Sequence, residues 1–207
     1  MKRQITYLSG VNKRKISSLI LVVILFSFRS VSADAALVLY FESSPESWVG
    51  HGLTVLTTPE DGYSFVAVRN YDNGVTFRVE NYLNPPPYDQ HWRLELAAPF
   101  NATLVSGFYD NAARFPFQDI DQPGLSFTGN HRGNNRNSGH FTVLEAVYGP
   151  GGGVVRFAVD FTQYDEENPR WWINGQVRYN SDVPYVPEPA TLALFGLSAL
   201  GIRKRRK

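Results

Sequence analysis

The sequence contains no cysteine. A disulfide framework, a thiolate zinc site and a cysteine nucleophile are therefore excluded. Between residues 36 and 185 there is also no lysine: nine Arg stand against 17 Asp plus Glu, a formal charge of −8 hidden inside the whole-chain value of +1. Such a surface is a poor partner for nucleic acid or anionic lipid. It suits a soluble extracellular protein, or one that binds divalent cations weakly. The same stretch shows no helical periodicity.

Catalytic signatures are missing as well. The four histidines (His51, His91, His131, His140) are scattered and show no metal-ligand spacing. His91, Arg93 and Glu95 share one strand face and read as a solvated charge ladder. No G-x-S-x-G elbow is present. Gly149–Gly153 is followed by neither Lys-Ser/Thr nor a helix, so it reads as a hairpin connection rather than a phosphate cradle. Paired carboxylates for glycoside hydrolysis are defined by separation in space, which sequence does not give. The reading is a non-enzymatic structural or interaction module, with a carbohydrate-binding module as the alternative and a secreted hydrolase behind it.

What is present is period-two alternation. Val75-Phe77-Val79, Trp92-Leu94-Leu96 and Val155-Phe157-Val159-Phe161 each alternate with polar neighbours, the pattern of half-buried antiparallel strands. Residues 37–41, 53–57, 63–71, 102–109, 141–148 and 171–179 add further strands. Asn73-Gly74 and Asn174-Gly175 predict type I′ hairpin turns. Asn84-Pro85-Pro86-Pro87-Tyr88, residues 115–124 and residues 129–139 read as loops. Nine or so strands in one domain's length predict an all-β fold: an antiparallel β-sandwich, jelly-roll-like, with a flattened barrel as second choice.

Both flanks of this domain carry targeting features. Lys13-Arg14-Lys15 precede an apolar run, Ile16–Phe28, and then the small residues Ser32, Ala33 and Ala35. That order is a secretory signal peptide over residues 1–35, handled by Sec-type machinery and cut after Ala33 or Ala35; an uncleaved anchor is the alternative. At the other flank, Val186-Pro187-Glu188-Pro189 leads into the uncharged stretch Ala190–Ile202 and then Arg203-Lys204-Arg205-Arg206-Lys207. As a helix, 190–202 would span about 20 Å, short of the roughly 30 Å hydrocarbon core. Snorkelling and local thinning would close the gap. The five cations would stay cytoplasmic and hold residues 36–185 outside.

The 186–207 segment closely resembles the PEP-CTERM sorting signal of Gram-negative bacteria. That resemblance implies recognition by a membrane-embedded cysteine protease, exosortase. It further implies transient inner-membrane anchoring through a helix over about 190–202, delivery to the surface or extracellular matrix, and association with exopolysaccharide. Residues 39–181 resemble a bacterial extracellular domain of unassigned function. The phrases that carry this include Tyr40-Phe41-Glu42-Ser43-Ser44-Pro45, Ser47-Trp48-Val49-Gly50, Ala113-Arg114-Phe115-Pro116-Phe117 and Val177-Arg178-Tyr179-Asn180-Ser181. The resemblance implies a β-rich module and supplies no activity. It also implies that Asn134 and Asp165 stand where that family has cysteines, so this chain must hold those two loops together otherwise.

Two candidate sites follow. Sugar-binding sandwiches place flat aromatic rings under pyranose faces, and Trp171, Trp172, Trp92, Tyr179 and Arg170 are the candidates here. Trp171 and Trp172 are adjacent, so on a strand they face opposite sides. Asp110, Asp119 and Asp121 are hard oxygen donors on one expected loop and are the candidate calcium ligands, with no diagnostic spacing. Asp165-Glu166-Glu167 reads as a solvated turn.

Overall fold

A computed structural model describes residues 36–81 and 90–185. The expected signal segment, the proline-rich loop at 84–88 and the expected helix at 190–202 lie outside the described residues. Among the described residues no helix is long and apolar enough to cross a membrane.

Ten strands form: β1 (Ala36–Ser43), β2 (Thr54–Thr57), β3 (Ser64–Arg69), β4 (Val75–Asn81), β5 (Gln90–Ala97), β6 (Gly107–Arg114), β7 (Gly124–Gly129), β8 (Asn137–Tyr148), β9 (Val154–Asp165) and β10 (Trp172–Ser181). Two single-turn 3-10 helices, Pro59–Asp61 and Pro99–Asn101, interrupt the connections. The fold is all-β, as expected, and the strands hydrogen-bond into one continuous curled sheet in the order β2-β1-β10-β9-β8-β6-β7-β5-β4-β3. It is mixed, because β6 and β7 run parallel through Ala113–Gly124 and Arg114–Leu125. The edge strands β2 and β3 do not pair, so the sheet curls without closing into a barrel.

The curl brings the β1-β10-β9-β8 half over the β7-β5-β4 half. Phe41 of β1 meets Trp92 of β5 edge-on at 4.6 Å, Phe77 of β4 lies 5.3 Å from Phe157 of β9, and Phe127 of β7 lies 5.1 Å from Phe161. These rings are buried together with Leu39, Leu94, Leu96, Leu125, Val159 and Ile173. Each such side chain taken out of water contributes about 1.5–3 kcal/mol.

Alternation places most of these residues correctly, with local exceptions. Residues 102–109 are not one strand: β6 starts only at Gly107 and runs to Arg114, with a register shift between Tyr109 and Ala112. Asn111 sits there at φ 52°, a left-handed conformation that Asn tolerates. Strand β7 carries no clear sequence signal, because glycines at both ends mask its short apolar run. Asn174-Gly175 is not a turn but the middle of β10, paired with Thr162 and Phe161. Gly175 is required there because a Cβ would lie 2.3 Å from the Phe161 ring. Asn73-Gly74 does join β3 to β4, and Asn70 N–H donates to Gly74 O at 3.2 Å. Gly74 is needed for close approach rather than for a positive φ: a Cβ would sit 1.8 Å from Leu96 O.

Candidate functional site

The curl leaves the β1-β10-β9-β8 half with an outward face. Residues at alternate positions on these strands form two cross-strand rows. One row is Glu42, Asn174, Thr162 and His140; the other is Tyr40, Gln176, Asp160 and Thr142. Together they line a hollow of about 650 Å³. Thr162 Oγ1 donates to Asn174 Oδ1 at 2.9 Å within the first row. In the second, Asp160 Oδ1 accepts from Arg178 Nη2 at 2.8 Å. The lining is rich in carboxylate, amide and hydroxyl groups, which recognise hydroxyl-bearing ligands by hydrogen bonding.

Different groups follow the two rows along the strands. At one end, Arg178 is only 2% exposed. Its Nε and Nη2 both donate to Pro184 O at 3.2 Å, pinning the stem at residues 182–185. Arg156 strengthens this end, with Glu145 at 2.9 Å and Asp182 at 3.5 Å. At the other end Trp172 pairs with Tyr164 in the next outward row. Trp172 also lines a second hollow, with Ser44–Glu46 and Asn168–Trp171.

The structure therefore brings together three of the five aromatic-site candidates. Arg170, Trp171 and Trp172 share the second hollow, and both Trp rings are half-buried. The other two require correction. Trp92 is 1% exposed and stacks on Phe127 at 5.7 Å with planes 5° apart, so its ring is core and not available to a ligand. Tyr179 faces inward, 6.3 Å from the Phe77 ring. The calcium candidates also separate: Asp110 lies on β6, whereas Asp119 and Asp121 lie in the following loop. Among the described residues no group of three or more His, Asp or Glu gathers to hold a metal ion.

Asp165 is not in a solvated turn but fully buried. Its Oδ2 accepts from Ser47 Oγ at 2.6 Å and Val49 N–H at 3.1 Å. Its Oδ1 accepts from Asn134 Nδ2 at 2.6 Å and Gln163 Nε2 at 3.0 Å. One carboxylate thus ties the 44–50 loop, the 130–136 loop and the end of β9. Asn134, in the 130–136 loop, and Asp165, at the end of β9, are joined by a buried hydrogen bond. Gln163 extends the network to Phe127 N and O and to Asn137. Four donors on one buried acceptor make this a structural clasp.

The outward face of the other half is different in kind. Arg93 and Glu95 pair at 2.6 Å on β5, as the charge-ladder reading expected. Burial raises the Glu95 carboxyl above its usual range, against the lowering effect of Arg93.

Comparison with known proteins bears on the segment after the pinned stem. A family model described as the PEP-CTERM protein-sorting motif matches residues 186–207. The chain carries a PEP-CTERM sorting motif. That motif implies export, with an exosortase as the processing partner and the cell surface or extracellular space as destination. The PEP-CTERM match begins at Val186, directly after the stem that Arg178 and Arg156 hold. No curated protein and no solved structure matches the chain.

Proposed function

We propose that this is an exported, non-enzymatic surface or matrix module whose folded domain binds polysaccharide in the outward hollow of β1, β8, β9 and β10. The observation that carries the reading is the hollow itself: Tyr40, Glu42, His140, Thr142, Asp160, Asn174 and Gln176 converge on one concave sheet face. Carboxylates and amides on a preformed face are suited to pairs of sugar hydroxyls, and a shallow open site suits a polymer. The two carboxylates, Glu42 and Asp160, sit in different rows on strands separated by β10, and Arg178 engages Asp160. That arrangement supports binding rather than hydrolysis, which needs a facing pair.

The sorting segment supplies the route. Residues 190–202 anchor the exported protein transiently in the inner membrane, Arg203–Lys207 hold the cytoplasmic side, and exosortase acts at the Val186–Pro189 motif. The hollow then reaches the surface in a matrix setting.

Two measurements test this. Processed protein recovered from the host surface should co-sediment with the host's exopolysaccharide, and Glu42→Gln should reduce the bound fraction. Equal sedimentation with and without polymer would contradict the binding reading. Glu188→Ala should leave the intact mass of the recovered protein unprocessed, and an unaltered mature mass would contradict exosortase action.

A further inference from the structure

The hollow has a direction. Along the strands the next outward positions hold Arg178, bonded to Pro184 O, on one side and the Trp172–Tyr164 pair on the other. Across the strands the second row continues past Thr142. Thr142 pairs with Phe108 of β6, so Phe108 occupies the same outward row. Its ring is 62% exposed and lies 5.7 Å from His140, a hollow-lining residue. The β6 bulge makes this possible: Tyr109 turns inward onto Phe141 at 4.7 Å while its neighbour Phe108 faces out. In the opposite direction the row passes Tyr40 to Leu56 of β2, which is 46% exposed. From β1 to β6 there are four inter-strand steps. At about 4.8 Å per step this is about 19 Å, room for several sugar residues in line.

Charge narrows the ligand further. Glu42 and Asp160 line the hollow, and no Lys or Arg is among the described lining residues. The nearest guanidinium, Arg178, is buried and gives its donors to Pro184 O, Val159 O, Val177 O, Asp160 and Gln176. An anionic sugar would meet two carboxylates with no free cation, on a domain of net charge −8.

We infer that the hollow and the Phe108 ledge form one cross-strand cleft for an uncharged polysaccharide, with Phe108 as the platform for one sugar face. This rests on the polysaccharide-binding reading and commits it to a ligand charge, a direction and an end residue. Exposed aromatic rings offer such a platform through apolar contact with the C–H face of a sugar, while the carboxylates and amides of the two rows take the hydroxyls.

The experiment is affinity electrophoresis of the processed protein through gels containing an uncharged glucan, galactan or mannan, or a uronate polymer. It uses the wild type, Phe108→Ala, Glu42→Gln and the remote control Tyr71→Ala, with thermal melting of each to verify folding. Tyr71 is 74% exposed and outside the cleft. Retardation in at least one uncharged polymer, weakened about tenfold by Phe108→Ala and unchanged by Tyr71→Ala, is the expected result. About tenfold corresponds to about 1.4 kcal/mol. If Glu42→Gln weakens binding but Phe108→Ala does not, the cleft stops at β8 and the inference is overturned while the binding reading stands. If only the uronate polymer retards the protein, the uncharged class is overturned. If no polymer does, the binding reading itself falls.

Discussion

The two outward faces of the sheet make an instructive pair. On the β4-β5 face, Arg93 holds Glu95 at 2.6 Å, and Arg78 stands beside Arg93 in register, close enough to favour the charged form of Glu95. On the β1-β10-β9-β8 face, carboxylates, amides and hydroxyls converge on a concavity of about 650 Å³. Both faces alternate with the same kind of apolar core beneath them. Self-pairing on an exposed surface contributes little stability and leaves little to offer a ligand. A concave face whose polar groups point at shared space is the one built to receive something.

That contrast predicts a graded response to substitution. The largest loss belongs to the shared core: Trp92→Ala should cost about 3–5 kcal/mol in urea unfolding. A Trp92 ring that served ligand rather than core would give a far smaller loss, and the assignment would fail. Next is the clasp beneath the loops. Asp165→Ala strands the donors of Ser47, Val49, Asn134 and Gln163 and should cost about 3 kcal/mol by the same measurement. Much less should follow at the hollow: Glu42→Gln should leave stability within about 0.5 kcal/mol while weakening polymer binding. A matching fall in melting temperature would mean Glu42 is structural.

The smallest effect belongs to the charge-ladder face. Because burial raises the Glu95 carboxyl in the folded state, the native protein holds this proton more tightly than the unfolded chain. Stability from this group is therefore fully present below the unfolded value, about 4.3 for glutamate. It is lost as pH rises through the raised folded value. Glu95→Gln should flatten the slope of melting temperature against pH in that window and leave polymer binding unchanged. An unchanged slope would remove Glu95 as its source.

How far the sequence reaches can be judged from the same residues. Strands β4, β5 and β9 were legible because apolar residues alternate without interruption, and Trp92 already sat on the apolar face with Leu94 and Leu96. An abundance of Trp suggests ligand platforms, but the stronger periodic signal puts Trp92 in the core. Strand β7 and the late start of β6 were hidden by Gly124, Gly129 and the left-handed Asn111, which look like loop chemistry. Asp165 heads an acidic triplet that reads as solvated; its burial depends on Ser47, Val49 and Asn134, donors brought from distant segments, together with Gln163 of its own strand. The hollow was illegible for a similar reason: Tyr40, His140, Asp160 and Asn174 come from four strands, and no local motif marks them. Phe108 needed the β6 bulge before its direction was defined. The sorting segment was fully legible, because a contiguous motif carries it.

The most direct test is to map polymer contact by backbone amide chemical shifts on the processed, isotopically labelled protein titrated with its retarding polysaccharide. Shifts should concentrate at residues 40–42, 140–142, 160–162, 174–176 and 108, with the β4-β5 face silent. Shifts concentrated on β4-β5, or spread evenly over both faces, would contradict the assignment of function to the hollow.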